Sequence, residues 1–181
     1  LHPKFLFEVR EEIGEVMAEL MNKSMQTGEI PQNWRDAIVV PLFKKGNRSE
    51  ASNYRPVSLT CIICKVMERI IKDDMMRHME EHKIIKDSQH GFMNNKSCLT
   101  NLLEFFEDTY DFLDAVPSVD VVYLDFAKAF DKVPHQRLRK KLEAIGIEGK
   151  LLEWIGGWLL DRRQRVAING MKSKWISVTS G

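Results

Sequence analysis

Asp125 closes the run Val119-Asp-Val-Val-Tyr-Leu-Asp125, which is apolar almost throughout. A run of that length and character reads as a buried strand. A carboxylate at the end of a buried strand faces the space at the rim of its sheet, where it can bind a hard cation such as Mg2+ through oxygen. Asp131, further along the same acidic stretch, is near enough to share that region. The structural alternative for the same residues is that Asp125 caps the following turn and Asp131 stays in solvent.

Cys61, Cys64, His78 and His82 offer a second chemistry, since they match the two-Cys, two-His spacing of a zinc site. Between them, however, Ile62, Ile63, Val66, Met67, Ile70 and Ile71 form the stripe of one continuous amphipathic helix with no Gly or Pro to break it. On a straight helix Cys61 and His78 lie about 25 Å apart, so the four side chains cannot close on one ion. A phosphate loop is the third possibility, but Gly146-Ile-Glu-Gly149-Lys150 lacks the P-loop spacing. Cys61, Cys64 and Cys98 are an odd set without a disulfide framework, which fits a reducing, intracellular compartment, nuclear or cytoplasmic.

The chain of 181 residues carries 27 Lys plus Arg against 26 Asp plus Glu and is 44% hydrophobic, enough apolar mass for a core and not the composition of a disordered chain. The longest stretch without a charge, Pro56 to Cys64, is far short of the roughly 20 apolar residues a membrane helix needs, so no membrane partner is expected. The charges are segregated: Leu99 to Asp131 carries a net −7 and Lys132 to Lys174 a net +7, with clusters at Arg137, Arg139, Lys140 and Lys141 and at Arg162, Arg163 and Arg165. A basic surface beside an acidic one suits a site that holds metal ions next to a polyanion; two solvated helix faces of opposite sign account for it equally well. Leu at position 1 and the ending at Ser180-Gly181 read as an excerpt from a longer polypeptide.

The elements that must position these residues follow from pattern and punctuation. Val9, Ile13, Val16, Met17 and Leu20 mark a helix that stops at Gly28, with Pro31 beyond it. Ala37 to Phe43 reads as a strand in which Pro41 argues for an edge or a bulge, and a polar loop follows from Lys44. Helices are expected from about Cys61 to His82, Ser97 to Leu113, His135 to Ala144 and Lys150 to Leu160. Alternation at Val166 and Ile168, the Asn169-Gly170 turn, and alternation at Ile176 and Val178 predict a hairpin. The order lacks a regular βαβ beat, so the fold class is α+β.

Six phrases in order, Trp34 to Gly46, Asn53-Tyr-Arg-Pro-Val-Ser-Leu59, Lys65 to Ile70, Gln89-His-Gly-Phe92, Val122-Tyr-Leu-Asp-Phe-Ala-Lys-Ala-Phe-Asp-Lys-Val133 and Ser173 to Gly181, closely resemble the reverse transcriptase of non-LTR retrotransposons, the LINE-like elements of the jockey and chicken-repeat type. The resemblance covers nearly the whole chain. It implies the fingers and partial palm of a right-hand polymerase, with a helical extension over 1–35, fingers over 36–113, and the first part of the palm with a returning fingers hairpin over 114–181. It further implies RNA-directed DNA polymerisation with an RNA template, a DNA primer and deoxynucleoside triphosphates as partners, and Mg2+, with Mn2+ as an alternative, as cofactor.

By the same resemblance Asp125 is the first palm aspartate, the catalytic metal ligand of a two-metal displacement, and Phe126 offers its backbone carbonyl to a metal. Phe130 is the aromatic gate against a ribose 2′ hydroxyl. Arg55 and Lys44 or Lys45 cradle the incoming triphosphate, chemistry that suits bidentate Arg and mobile Lys. Lys96 and the Arg162, Arg163 and Arg165 cluster are the expected nucleic-acid contacts. Two departures stand out. After Gln-His-Gly-Phe the family's basic, Gly-containing stretch is replaced by Met93-Asn-Asn-Lys-Ser97, and the paired aspartates that complete the family's metal site, like the thumb, lie beyond Gly181. The chain alone is therefore expected not to polymerise, and to rely on the rest of the polymerase polypeptide. The alternative is a degenerate or co-opted copy that binds RNA or protein.

Overall fold

The computed structural model describes residues 3–181, which divide into two compact units: one runs to Met75 and resumes at Ala129–Gly181, the other is Met76–Lys128.

The first unit opens with α1 (Pro3–Glu8) and α2 (Arg10–Thr27). Gly28 ends α2 in the left-handed conformation (φ 72°), its N–H donating to the Ser24 carbonyl at 2.9 Å, as the expected stop at this glycine requires. A single turn, α3 (Gln32–Arg35), leads into β1 (Asp36–Phe43), which is followed by β2 (Tyr54–Leu59) and α4 (Ile62–Glu81). After the second unit come α6 (His135–Ala144), α7 (Gly149–Leu159), β3 (Arg163–Ile168), β4 (Met171–Lys172) and β5 (Ile176–Ser177). The helix that lies wholly within the second unit, α5 (Cys98–Ala115), begins at a reciprocal cap in which the Ser97 hydroxyl accepts from the Thr100 N–H and Thr100 from the Ser97 N–H.

The sheet runs β2-β1-β3-β4, with β5 also on β3. β1 pairs antiparallel with β2 over Ile38 to Phe43 and parallel with β3 over Asp36 to Val39. Pro41, which has no N–H to donate, sits past the end of the β3 ladder and opposite Pro56, so the strand is an edge where the proline requires one. The predicted hairpin forms between β3 and β4, with Asn169 at φ 49° and Gly170 at φ 80° as the tight turn demands.

The core lies entirely in the first unit. Trp34, Cys64, Met67, Leu152, Trp154, Ile155 and Leu159 pack with Met21, Ile30, Leu142 and Ile147. Trp154 is 2% exposed and donates through Nε1 to the Ser24 hydroxyl (3.0 Å), which donates onward to the Glu29 carbonyl (2.7 Å). That chain satisfies the Trp154 N–H and the Ser24 hydroxyl, both buried where α7 meets α2. α4 runs unbroken through the stretch between the cysteines and histidines, as its stripe predicts, which keeps those ligand types spread along the helix axis.

One expected element is absent. Residues 119–126 form no ladder with any described strand, and Val122, Tyr123, Leu124 and Phe126 are 78 to 89% exposed. An all-apolar run has strand propensity, but a strand forms only where a neighbour pairs its N–H and C=O groups. The described strands lie in the other unit's sheet and leave this run without one.

Candidate functional site

The strongest local construction is the tip of the β1–β2 hairpin. The register sets Arg55 opposite Leu42 and Tyr54 opposite Phe43, and the Lys44 N–H continues the ladder to the Asn53 carbonyl at 2.9 Å. Lys44 and Arg55 are thus near-diagonal neighbours on facing strands, about 7 to 8 Å apart at the backbone. Lys44, Lys45 and Arg55 are exposed, and none has an ion pair or side-chain hydrogen bond among the described residues. Sequence reasoning did not single out a fourth cation, Arg48. Its guanidinium lies over the Phe43 ring at 4.8 Å, Tyr54 packs edge-on to that ring at 5.5 Å, and the Tyr54 hydroxyl donates to the Arg48 carbonyl at 2.8 Å. The Gly46-Asn47 pair and the aromatic residues flanking the loop were the available signals. Four cations on a short turn give this tip a positive field, the electrostatics that draws anions.

Asp125 is in the second unit, on the unpaired 119–126 segment, exposed and without a hydrogen bond or ion pair among the described residues. It does not cap the turn that follows. Phe126 and Phe130 are 83% and 71% exposed. Tyr123 packs on Phe105 of α5 at 5.9 Å between ring centres. Asp125 and the Phe126 carbonyl supply oxygen, the donor type Mg2+ takes, but two oxygens do not fill its octahedron. No group of three or more His, Cys, Asp or Glu side chains among the described residues could hold a metal. The residues present therefore do not by themselves build a two-metal site.

Asp131 and His135 belong to the first unit, and their contacts hold a loop. The Ser180 hydroxyl donates to the Asp131 carbonyl (2.9 Å), the Gly181 N–H donates to the Val133 carbonyl (3.1 Å), and His135 Nε2 lies 3.1 Å from the Gly181 carbonyl.

The arginine cluster is largely engaged within the first unit. Arg163 makes a two-point contact with Asp36, Nε to Oδ1 at 3.0 Å and a second nitrogen to Oδ2 at 2.8 Å, locking β3 to β1 where they pair. The Arg163 guanidinium, joined by an amide hydrogen bond from Gln32, holds the Asp36 carboxyl below the usual carboxylate range. Arg162 lies over Trp158 at 4.3 Å and Arg165 over Trp175 at 4.4 Å. Burial pulls the Arg162 pKa below its ordinary value, against the opposing charge of Glu68. A cleft of about 490 Å3 lies against this part of the sheet, lined by these arginines with Ser58, Ser177 and Ser180. In the second unit Lys96 donates through Nζ to the Asp87 carbonyl, and His90 pairs with Glu104 at 3.3 Å.

The comparisons with known proteins bear on these positions together. The probable RNA-directed DNA polymerase from transposon BS of Drosophila melanogaster is 26% identical over 158 residues, covering 87% of this chain and 17% of that protein. The RNA-directed DNA polymerase from the mobile element jockey of the same fly is 25% identical over 91% of this chain and 18% of its own length. The Pol polyprotein of the type-1 retrotransposable element R2 of Popillia japonica is 26% identical over 85% of this chain and 21% of its own. The chain thus spans about a fifth of the length of these relatives. The profile of the reverse transcriptase (RNA-dependent DNA polymerase) family runs from Phe43, the last residue of β1, to Gly181. Covering the cationic hairpin, the Asp125 segment and the arginine-bearing strand in one unbroken match, it shows that the chain belongs to the reverse transcriptase family, on the branch of the non-LTR retrotransposons.

Proposed function

We propose that this chain includes the fingers, over 36–113, and the first part of the palm with a returning fingers hairpin, over 114–181, of an RNA-directed DNA polymerase that extends a DNA primer on an RNA template. The observation that carries the reading is the β1–β2 tip, where Lys44, Lys45 and Arg55 stand exposed and unpaired on an ordered hairpin within the family match. Cations presented without carboxylate partners keep their charge for an incoming anion, and a deoxynucleoside triphosphate is the polyanion a polymerase must seat. Arg55 offers bidentate contacts, while the lysines follow the phosphates as mobile charges. Phe130 limits the space beside the sugar. Lys96 and the cleft lined by Arg162, Arg163 and Arg165 contact the nucleic-acid backbone, the stacked guanidiniums presenting their edges. Asp125 and the Phe126 carbonyl contribute part of a Mg2+ site that needs further carboxylates, so the chain alone does not polymerise.

Primer extension on an RNA template with Mg2+ tests this, comparing the chain with a longer protein that contains it and adds the missing carboxylates. The expected result is extension by the longer protein only, abolished by Asp125→Ala. Extension by neither, with salt-sensitive RNA binding retained, overturns the polymerase reading in favour of a binding domain.

A further inference from the structure

The loop between Lys44 and Asn53 is far more tightly organised than a stretch of solvated charges needs to be, and its organisation converges on one side chain. Asn53 accepts from the Lys44 N–H through its carbonyl (2.9 Å) and donates its own N–H to the Glu50 carbonyl (3.1 Å). Its side-chain amide donates to the Asn47 carbonyl (2.9 Å) and to the Glu50 carboxylate (3.1 Å). The Asn47 side chain in turn accepts from the Ser49 N–H at 3.0 Å. Gly46 holds φ +84°, and a Cβ there would lie 2.8 Å from the Asn53 amide nitrogen, so the backbone runs directly against that amide. One residue thus ties together both arms and the crown of the loop.

The charge pattern gives this a consequence. Between Lys44 and Arg55 there are four cations, Lys44, Lys45, Arg48 and Arg55, and one acid, Glu50. A flexible Glu50 would pair with whichever cation came nearest. Instead the Asn53 amide holds its carboxylate, and Glu50 makes no ion pair among the described residues. Arg48 is fixed independently, stacked on Phe43 with its carbonyl held by Tyr54, which leaves the edges of its guanidinium open.

We propose that Asn53 is a positioning residue that pre-forms an anion cradle from Lys44, Lys45, Arg48 and Arg55 by closing the 44–53 loop and sequestering Glu50, and that Arg48 is a phosphate contact of this cradle. The proposal rests on the triphosphate-seating reading above and adds to it the residue that organises the site and a cation beyond Arg55 and the lysines. Pre-formation matters because each long side chain ordered on binding costs affinity, and a competing carboxylate costs more.

The test is titration of the 181-residue chain with dTTP, followed by amide hydrogen exchange across the loop. Asn53→Ala is expected to weaken dTTP binding about tenfold, to speed exchange at the Lys44, Ser49 and Glu50 amides, and to leave the unfolding midpoint nearly unchanged. Adding Glu50→Ala to that variant restores much of the affinity, which a merely structural asparagine would not allow. Arg48→Ala weakens binding with the loop amides still protected. Gly46→Ala, which presses on the same amide from the other side, reproduces the loss should Asn53→Ala fold poorly. If Arg55→Ala weakens binding while Asn53→Ala and Gly46→Ala do not, the positioning role is overturned and the triphosphate reading stands. If the unaltered chain does not bind dTTP, or binds it equally without Arg55, both fall, and faster exchange in Asn53→Ala then marks a loop with no ligand.

Discussion

The hairpin that carries Lys44, Lys45, Arg48 and Arg55 and the segment that carries Asp125 are both exposed, but they are held in different ways. The hairpin grows from β1, whose other edge pairs with β3 and whose Ala37 and Val39 are buried, and its loop closes on itself through Asn53. Its order is therefore secured by bonds that the chain itself supplies. The Asp125 segment belongs to Met76–Lys128, a unit in which not one described residue is buried and whose helix α5 leaves Leu99, Leu103, Tyr110 and Phe112 each about 60% or more exposed. With few buried apolar contacts, opening such a unit costs little free energy. The cationic hairpin is ordered by hydrogen bonds and strand pairing within its own unit, whereas the Asp125 segment has no strand partner among the described residues.

The three cysteines sample both situations and give the largest expected difference. Cys64 is fully buried in the core, and burial, with the nearby Glu68 carboxylate accepting its S–H, pushes its thiol up to about 12. Cys98 is exposed at the start of α5 in the second unit. Alkylation at pH 8 should modify Cys98 at least about a thousandfold faster than Cys64, because only the accessible thiolate reacts. Cys64 should become reactive only as the chain is unfolded by denaturant. Comparable rates for the two would mean that the core opens as readily as the exposed unit and would erase the contrast.

A smaller effect separates the sheet that supports the hairpin from the rest. Asp36 joins β1 to β3 through Arg163, and its carboxyl is held below the ordinary carboxylate range. A group whose folded-state pKa is depressed contributes stability above its unfolded pKa of about 4 and loses that contribution as the pH falls through the folded value. Asp36→Asn should therefore lower the denaturant midpoint at pH 7, and the gap between the two chains should close as the pH drops below about 4. A gap that persists undiminished at pH 3 would show that the pair contributes through packing and neutral hydrogen bonds rather than through charge.

The same physical distinction decides how much was legible in the sequence. Helices with a stripe and a stop, such as the one ending at Gly28, and the Asn169-Gly170 hairpin were readable because their signals are local and their turns demand particular residues. Pro41 correctly marked an edge because a missing N–H is a property of the residue itself. The run from Val119 to Asp125 misled because apolar character records a preference for burial, whereas a strand also needs a neighbour. The family phrases pointed to Lys44, Lys45 and Arg55 but not to Arg48, whose placement comes from a ring five residues earlier in the chain and a tyrosine hydroxyl across the hairpin. Arg162 over Trp158 follows helical spacing and was within reach of sequence reasoning. The stacking of Arg165 on Trp175 depends on the chain returning through β4 and β5 and was not.

The smallest predicted effect is the sharpest test of the unpaired segment. Leu124 is 89% exposed and sits one residue before Asp125 on a stretch with no ladder. Replacing it with Ser removes an apolar side chain that buries almost nothing, so the stability of this chain should change by no more than about 0.5 kcal/mol. A central strand residue would behave differently, since truncating a large buried aliphatic side chain costs roughly 2 to 5 kcal/mol. Urea unfolding of Leu124→Ser beside the unaltered chain reads that difference directly. A loss of 2 kcal/mol or more would mean that Val119 to Asp125 is packed in solution and that Asp125 is already held at a sheet rim within this chain. A negligible loss here, becoming large when the same substitution is made in a longer protein that contains this chain, would show that the carboxylate is positioned only when further strands pair with its segment.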